Sequence, residues 1–215
     1  METVCQVQKV RCDMAKGTKK IIFSLIGIVI AAVCVVVLYY LISERKIGIS
    51  GNSAATESEV QKLLDKDNDT TYPETPTEVV KLYWRYNKCI YNTSMTDKDL
   101  EGMVKQLRKF YDEELLAGEG NSWDDMLKQI KEDQKSYLKK ERKIASYVVQ
   151  KNSTVQSAEL DGRECATVVS GVLTKEKSKR DQVYEKFMCR KDENGRWRIL
   201  GWQQTTDENE IANLK

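Results

Sequence analysis

The chain has 215 residues, of which 32% are charged, a net charge of +2 and no histidine. With no basic tract interleaved with aromatics, nucleic-acid binding has no support. The missing imidazole removes the commonest metal ligand and the one side chain that ordinarily titrates near neutrality. The six cysteines include no C-x-x-C pair, so no metal and no cofactor is expected.

Residues 1–20 carry Lys9, Arg11, Lys16, Lys19 and Lys20 against only Glu2 and Asp13. The run Ile21 to Ser43 then contains no charge. About 20 apolar residues suffice to cross a hydrocarbon core as a helix. The basic flank predicts a cytoplasmic N-terminus, and hence a single-pass cell-membrane protein whose remainder is extracytoplasmic. A cleavable signal peptide fits less well, because its apolar region is normally about 7–15 residues and closes on small residues. Here the cluster Ser53-Ala54-Ala55 lies well past the run, and Ala31-Ala32-Val33 before Cys34 lacks the small residue a lipoprotein needs. Tyr39 and Tyr40 sit near the outer end, where amphipathic rings favour the headgroup layer. On this topology Cys5 and Cys12 are cytoplasmic, Cys34 is in the membrane, and Cys89, Cys165 and Cys189 face outward.

Residues 44–74 read as an extracytoplasmic tether, with one short helix signalled by Thr56-Glu57-Ser58-Glu59 ahead of Val60, Leu63 and Leu64. The folded domain is expected over 75–205, with 206–215 as a tail. It opens at Thr75-Pro76-Thr77-Glu78, an N-cap, a proline at the first helical position and a glutamate that can reach back to the cap. Val79, Val80, Tyr83, Trp84, Asn87 and Ile90 follow at helical spacing. A second helix starts at Thr96 and carries apolar residues through Leu116 to a stop at Gly118-Glu119-Gly120. Ser122 caps a third, whose lysines read as a solvated face of mixed charge.

After Arg142 the period shifts from about 3.6 to 2. Strands are expected over 144–150, 155–160, 164–174, 183–191 and 196–204, with turns at Lys151-Asn152, Asp161-Gly162, Lys175 to Lys179 and Asp192 to Gly195. The pattern predicts an α+β domain, three N-terminal helices packed on a curved antiparallel sheet, preceded by one transmembrane helix. In the later strands Ala166, Val168, Val172, Tyr184 and Met188 share one parity and Val169, Leu173, Val183 and Phe187 the other. Parity alone leaves the inward face open.

The segment TPTEVVKLYWRYNKCIYNTSMTDKDLEGMV and the closing KFMCRKDENGRWRILGWQ resemble the NTF2-like (cone-shaped α+β) superfamily over roughly 74–205. The chain lacks an obvious strand pair between the first two helices, which departs from that pattern. Single-anchor members of this kind are similar to VirB8-type scaffold subunits and to surface proteins of Gram-positive bacteria. The resemblance implies a membrane-anchored binding or scaffold module with other envelope proteins, or a second copy, as partner. The alternative it implies is a small isomerase- or dehydratase-like enzyme using a carboxylate inside the cone, for which Glu164 and Glu185 are the strand residues with apolar neighbours. In such a cone Trp84 and Trp202 are the expected pocket wall, although aromatics at this spacing also serve as plain core.

Cys165 and Cys189 fall opposite each other if the hairpin centres near residue 177. A cross-strand disulfide and two reduced, semi-buried thiols are both open on that geometry. Cys89 reads as a core residue of the first helix. The pattern N-x-[ST] occurs at Asn68, Asn92 and Asn152, where it reads as coincidence rather than as glycosylation sites.

Overall fold

The computed structural model describes residues 53–214. The apolar run 21–43, the tail before it and the start of the expected tether lie outside the described residues. Among the described residues no helix is long and apolar enough to cross a membrane.

Among the described residues five α-helices precede the sheet: α1 (Ser53–Leu64), α2 (Pro76–Asn92), α3 (Asp97–Arg108), α4 (Glu113–Ala117) and α5 (Trp123–Lys139). The strands are β1 (Arg142–Val149), β2 (Gln156–Leu160), β3 (Arg163–Glu176), β4 (Lys179–Lys191) and β5 (Trp197–Gln204), followed by α6 (Glu208–Ala212). The pairings between these strands are antiparallel in the order β1-β3-β4-β5, with β2 beside β1 on the same edge of β3, and an isolated parallel bridge joins Tyr111 to Ile199. The domain is therefore α+β, with helices against a curved, open sheet.

Local chemistry explains the boundaries. Thr75 caps α2 in a complete capping box with Glu78, Thr96 caps α3 and Ser122 caps α5. Asp161 and Gly162 take φ of 52° and 74°, the pair of positive values a tight two-residue hairpin requires. The β4–β5 turn closes on Asp192, whose Oδ1 accepts from the backbone N–H of Asn194 and Arg196 at 2.9 Å each. Register shifts at Ile144/Ser146 and Met188/Cys189 mark bulges that bend the sheet. The outer edge of β1 is held by side chains of α2, because Asn92 both accepts from the Ile144 N–H and donates to its carbonyl. Lys88 donates to the Ala145 carbonyl at the bulge.

Three expectations change. The second helix does not run to Gly118: after Arg108 the chain turns outward to pair with β5. Ile199 N–H donates to Phe110 O at 2.7 Å, and Asp112 N–H donates to Ile199 O at 2.8 Å. Backbone groups used this way cannot continue a helix, and Asp112 then caps the separate α4. The polar loop at Lys175 to Lys179 is instead a two-residue turn, since Glu176 pairs with Lys179 and the ladder runs almost to the tip.

The third change concerns the tether, whose latter part belongs to the folded unit. Val60, Leu63 and Asn68 are buried, and α1 continues upstream of Thr56 to Ser53. Asn68 Nδ2 donates to Tyr86 OH at 2.8 Å and to Gln106 Oε1 at 3.0 Å, while Tyr86 OH donates to Leu63 O at 2.9 Å. Tyr72 OH donates to Trp197 O at 2.6 Å. The segment is therefore fixed to both α2 and the sheet.

Replacing Asn68 by Ala strips the Tyr86 hydroxyl and the Gln106 amide of their partner in a dry site. The expected cost is about 1–3 kcal/mol, or about 2–4 °C in Tm per kcal/mol, read by thermal unfolding of the full chain. An unchanged Tm would mean that residues 60–72 are not part of the cooperative unit.

Candidate functional site

The register settles which sheet face meets the helices. Partners across β3 and β4 sum to an odd number, so even positions of β3 share a face with odd positions of β4. Ala166, Val168, Ser170 and Val172 therefore face inward with Val183, Glu185, Phe187 and Cys189. Apolar residues of unlike parity on the two strands thus converge on one core.

α2 lays Tyr83 and Trp84 along this face. Phe187 lies directly across from Trp202, stacked at 5.9 Å between ring centroids and 23° between planes. Tyr83 meets Phe187 edge-on at 5.1 Å, Trp202 at 5.4 Å and Trp84 at 5.2 Å. Trp84 also packs near Tyr147 and donates its indole N–H to Ser170 Oγ at 2.9 Å. These are contact distances for aromatic rings, so the seam is filled by its own side chains. Trp84 is closed core, 5% exposed, whereas Trp202 is 40% exposed at the edge strand. Trp202 borders a cleft of about 280 Å³ with Met188, Lys186 and Thr167. The two residues expected to wall one pocket share Tyr83 and Phe187 as neighbours, and of the two it is Trp202 that borders the cleft described here.

Of the two candidate carboxylates, Glu164 is a surface residue paired with Lys191 at 2.7 Å. Glu185 is the inward one. Its register partners are Ser170 and Gln204, and its Oε2 is buried with no hydrogen-bond partner. Burial alone lifts its carboxyl from 4.5 to about 7. The clefts described here do not include Glu185.

A second buried charge escaped the sequence. Arg190 and Asp112 have side chains 7% and 2% exposed. The guanidinium engages the carboxylate in two places, Nε to Oδ2 at 3.1 Å and Nη2 to Oδ1, and its Nη1 lies 3.0 Å from Glu114 Oε2. Asp112 also accepts from the Glu114 N–H, so one carboxylate caps α4 and locks it to β4. The only signal in the sequence was Asp112-Glu113-Glu114 as a helix start, hidden inside an apparently continuous apolar pattern. Beside this pair lies a cleft of about 340 Å³ bordered by Arg108, Arg163, Arg198, Asp192 and Glu193. Its arginines are already engaged, by Asn121 O, Glu113 and Asp192.

The cross-strand disulfide is not formed: Cys165 and Cys189 are both free and buried. Cys165 pairs with Arg190 and Cys189 with Ala166, so the hairpin is centred half a step from where a direct pair would need it. The two side chains leave the sheet on opposite faces. Burial pushes the Cys189 thiol up to about 12 and the Cys89 thiol to about 11, leaving both as unreactive core thiols. Among the described residues no cluster of three or more His, Cys, Asp or Glu could hold a metal ion. Asn68 is buried, Asn92 is half-buried against Ile144, and Asn152 is exposed, so only Asn152 could carry a glycan in this fold.

Two stability tests follow from the buried charges. Between pH 4.5 and about 7 the folded protein keeps a proton on Glu185 that the open chain has released. Stability must therefore fall as pH rises through that window and stay lower above it. Glu185→Gln should raise stability at pH 8 by on the order of 2–3 kcal/mol and change little at pH 4, measured as Tm against pH. Equal profiles would refute the burial of its charge. Asp112→Ala should cost about 3–5 kcal/mol by stranding Arg190, while the double variant Asp112→Leu with Arg190→Met recovers most of it. Denaturant unfolding checks both.

No curated protein matches this sequence. One family does, over residues 14–202, a range that takes in the apolar run and the sheet as far as Trp202 in the last strand. The chain belongs to the family described as Domain of unknown function (DUF6715).

Proposed function

We propose that the protein is a membrane-anchored, extracytoplasmic binding or scaffold module of NTF2-like type, held in the bilayer by residues 21–43. The observation that carries this reading is the filled aromatic seam: a domain whose concave face is occupied by its own rings offers surfaces rather than a reaction chamber. Helices on a curved antiparallel sheet are consistent with the NTF2-like resemblance. The family range, continuous from residue 14 to 202, supports anchor and domain acting as one unit. The flanking lysines and the lack of a cleavage signal support an uncleaved anchor with its N-terminus inside.

A second reading draws on Glu185. A carboxyl lifted to about 7 with an unpartnered oxygen has the properties of a general base, and a small cone enzyme would need one. The close-packed Tyr83, Phe187 and Trp202 rings oppose it, since a substrate would have to displace them.

Protease applied to intact cells should degrade the region after Ser43 and spare the N-terminal tail; a domain protected until the cells are lysed would refute the topology. With the topology established, Glu185→Gln separates the two readings. A binding module keeps its cellular phenotype and its co-purifying membrane partners in that variant, whereas an enzyme loses the phenotype with the fold intact.

A further inference from the structure

Two segments distant in sequence meet at one end of the sheet. Residues 139–143 join α5 to β1, and residues 175–181 form the tip of the β3–β4 hairpin. Register brings Lys143 opposite Lys175 and Lys175 opposite Arg180. Three cations thus stand in one row across three strands, on one face, and all three are exposed. Like charges placed directly opposite destabilise a sheet, so this row costs the fold stability. Only Arg142 among the cations of these two segments has a carboxylate partner in the described residues, Glu176 at 3.3 Å. Lys140, Lys177 and Lys179 add exposed charge around the same end. Together the two segments hold eight cations and three carboxylates in a chain whose total is only +2. The charge is therefore concentrated here and offset elsewhere.

We infer that this tip is a docking surface for a layer of anionic phospholipid headgroups. The cations lie on both faces of the hairpin and at its turn, so they present charge to a plane met end-on. They form no groove that could follow a polymer strand, and the two segments contain no aromatic on which a base could stack. Each lysine or arginine near an anionic bilayer gains about 1 kcal/mol, within about one Debye length of the surface. The inference rests on the anchored reading above: residues 44–52 at full extension hold an anchored domain within about 30 Å of the bilayer. A cluster too weak to bind from solution is effective when tethered this close.

The test uses the full chain reconstituted in nanodiscs of phosphatidylcholine alone or mixed with phosphatidylglycerol. Amide exchange of residues 175–181 should slow several-fold in the phosphatidylglycerol discs. Raised salt should abolish that protection, and so should the triple variant Lys143→Gln, Lys175→Gln, Arg180→Gln. Because the row repels itself, the triple variant should keep or raise the Tm, which separates lost docking from lost folding. Equal exchange in both disc types, with the chain retained in the discs, would overturn headgroup docking alone. A chain that leaves the disc fraction overturns the anchored reading and this one with it. Protection that arises in phosphatidylcholine discs only on adding inorganic polyphosphate overturns it in favour of a soluble polymer.

Discussion

Helix α2 against the inner face of the sheet is the contact on which the other elements depend. Its Tyr83 and Trp84 reach Phe187 and Trp202 on the two last strands and Tyr147 on the first, so one helix face spans the width of the sheet. Tyr86, one step round, holds Leu63 and Asn68, and Asn92 at the far end finishes the edge of β1. Fully burying a side chain of this kind contributes roughly 3 kcal/mol, and three of the seven buried aromatics among the described residues, Tyr83, Trp84 and Tyr86, share this single helix. The capping box at Thr75 matters for that reason: it fixes where the face begins.

The polar groups inside follow two policies. Trp84, the Asn68 Nδ2 group, Gln150 and the Arg190–Asp112 pair are matched to partners, and each match ties together elements far apart in sequence. Glu185 Oε2 is not matched, and burial lifts this acid of the inner face to about 7. The surface charge is as unevenly distributed as the interior polar groups. The hairpin tip is basic although the chain as a whole is nearly neutral.

Most of the element order was legible because its signals are local. The caps at Thr75, Thr96 and Ser122 and the Asp161-Gly162 turn each rest on a few adjacent residues whose chemistry allows little else. What escaped depended on pairing over distance. The break after Arg108 arises because Ile199 takes the backbone groups of Phe110 and Asp112, and nothing near residue 110 announces a strand at 199. The inward face needed the register sum, which parity within one strand cannot supply. The Cys165–Cys189 geometry failed by a single register step for the same reason. Glu185 and Glu164 read alike in the sequence, and they part only in the folded chain, where the first has an oxygen enclosed without a hydrogen bond and the second is exposed beside Lys191. Residues 60–72 looked like a linker because they are polar, yet Asn68 and Tyr72 fasten them by hydrogen bonds that hydrophobic periodicity does not register.

The burial of Asn68 also bears on how this protein can be made. Asn68-Asp69-Thr70 is a perfectly good acceptor for the oligosaccharide machinery of a eukaryotic secretory host, which acts on chains before they have closed. A glycan attached there would occupy the place where Tyr86 and Gln106 receive the amide, and α1 could not settle on α2. Such a host would yield modified chains unable to fold, whereas a bacterial host, or a chain carrying Thr70→Val, would avoid the competition between sugar transfer and core formation. A side chain that looks like a surface mark in the sequence is thus a vulnerable point in biosynthesis.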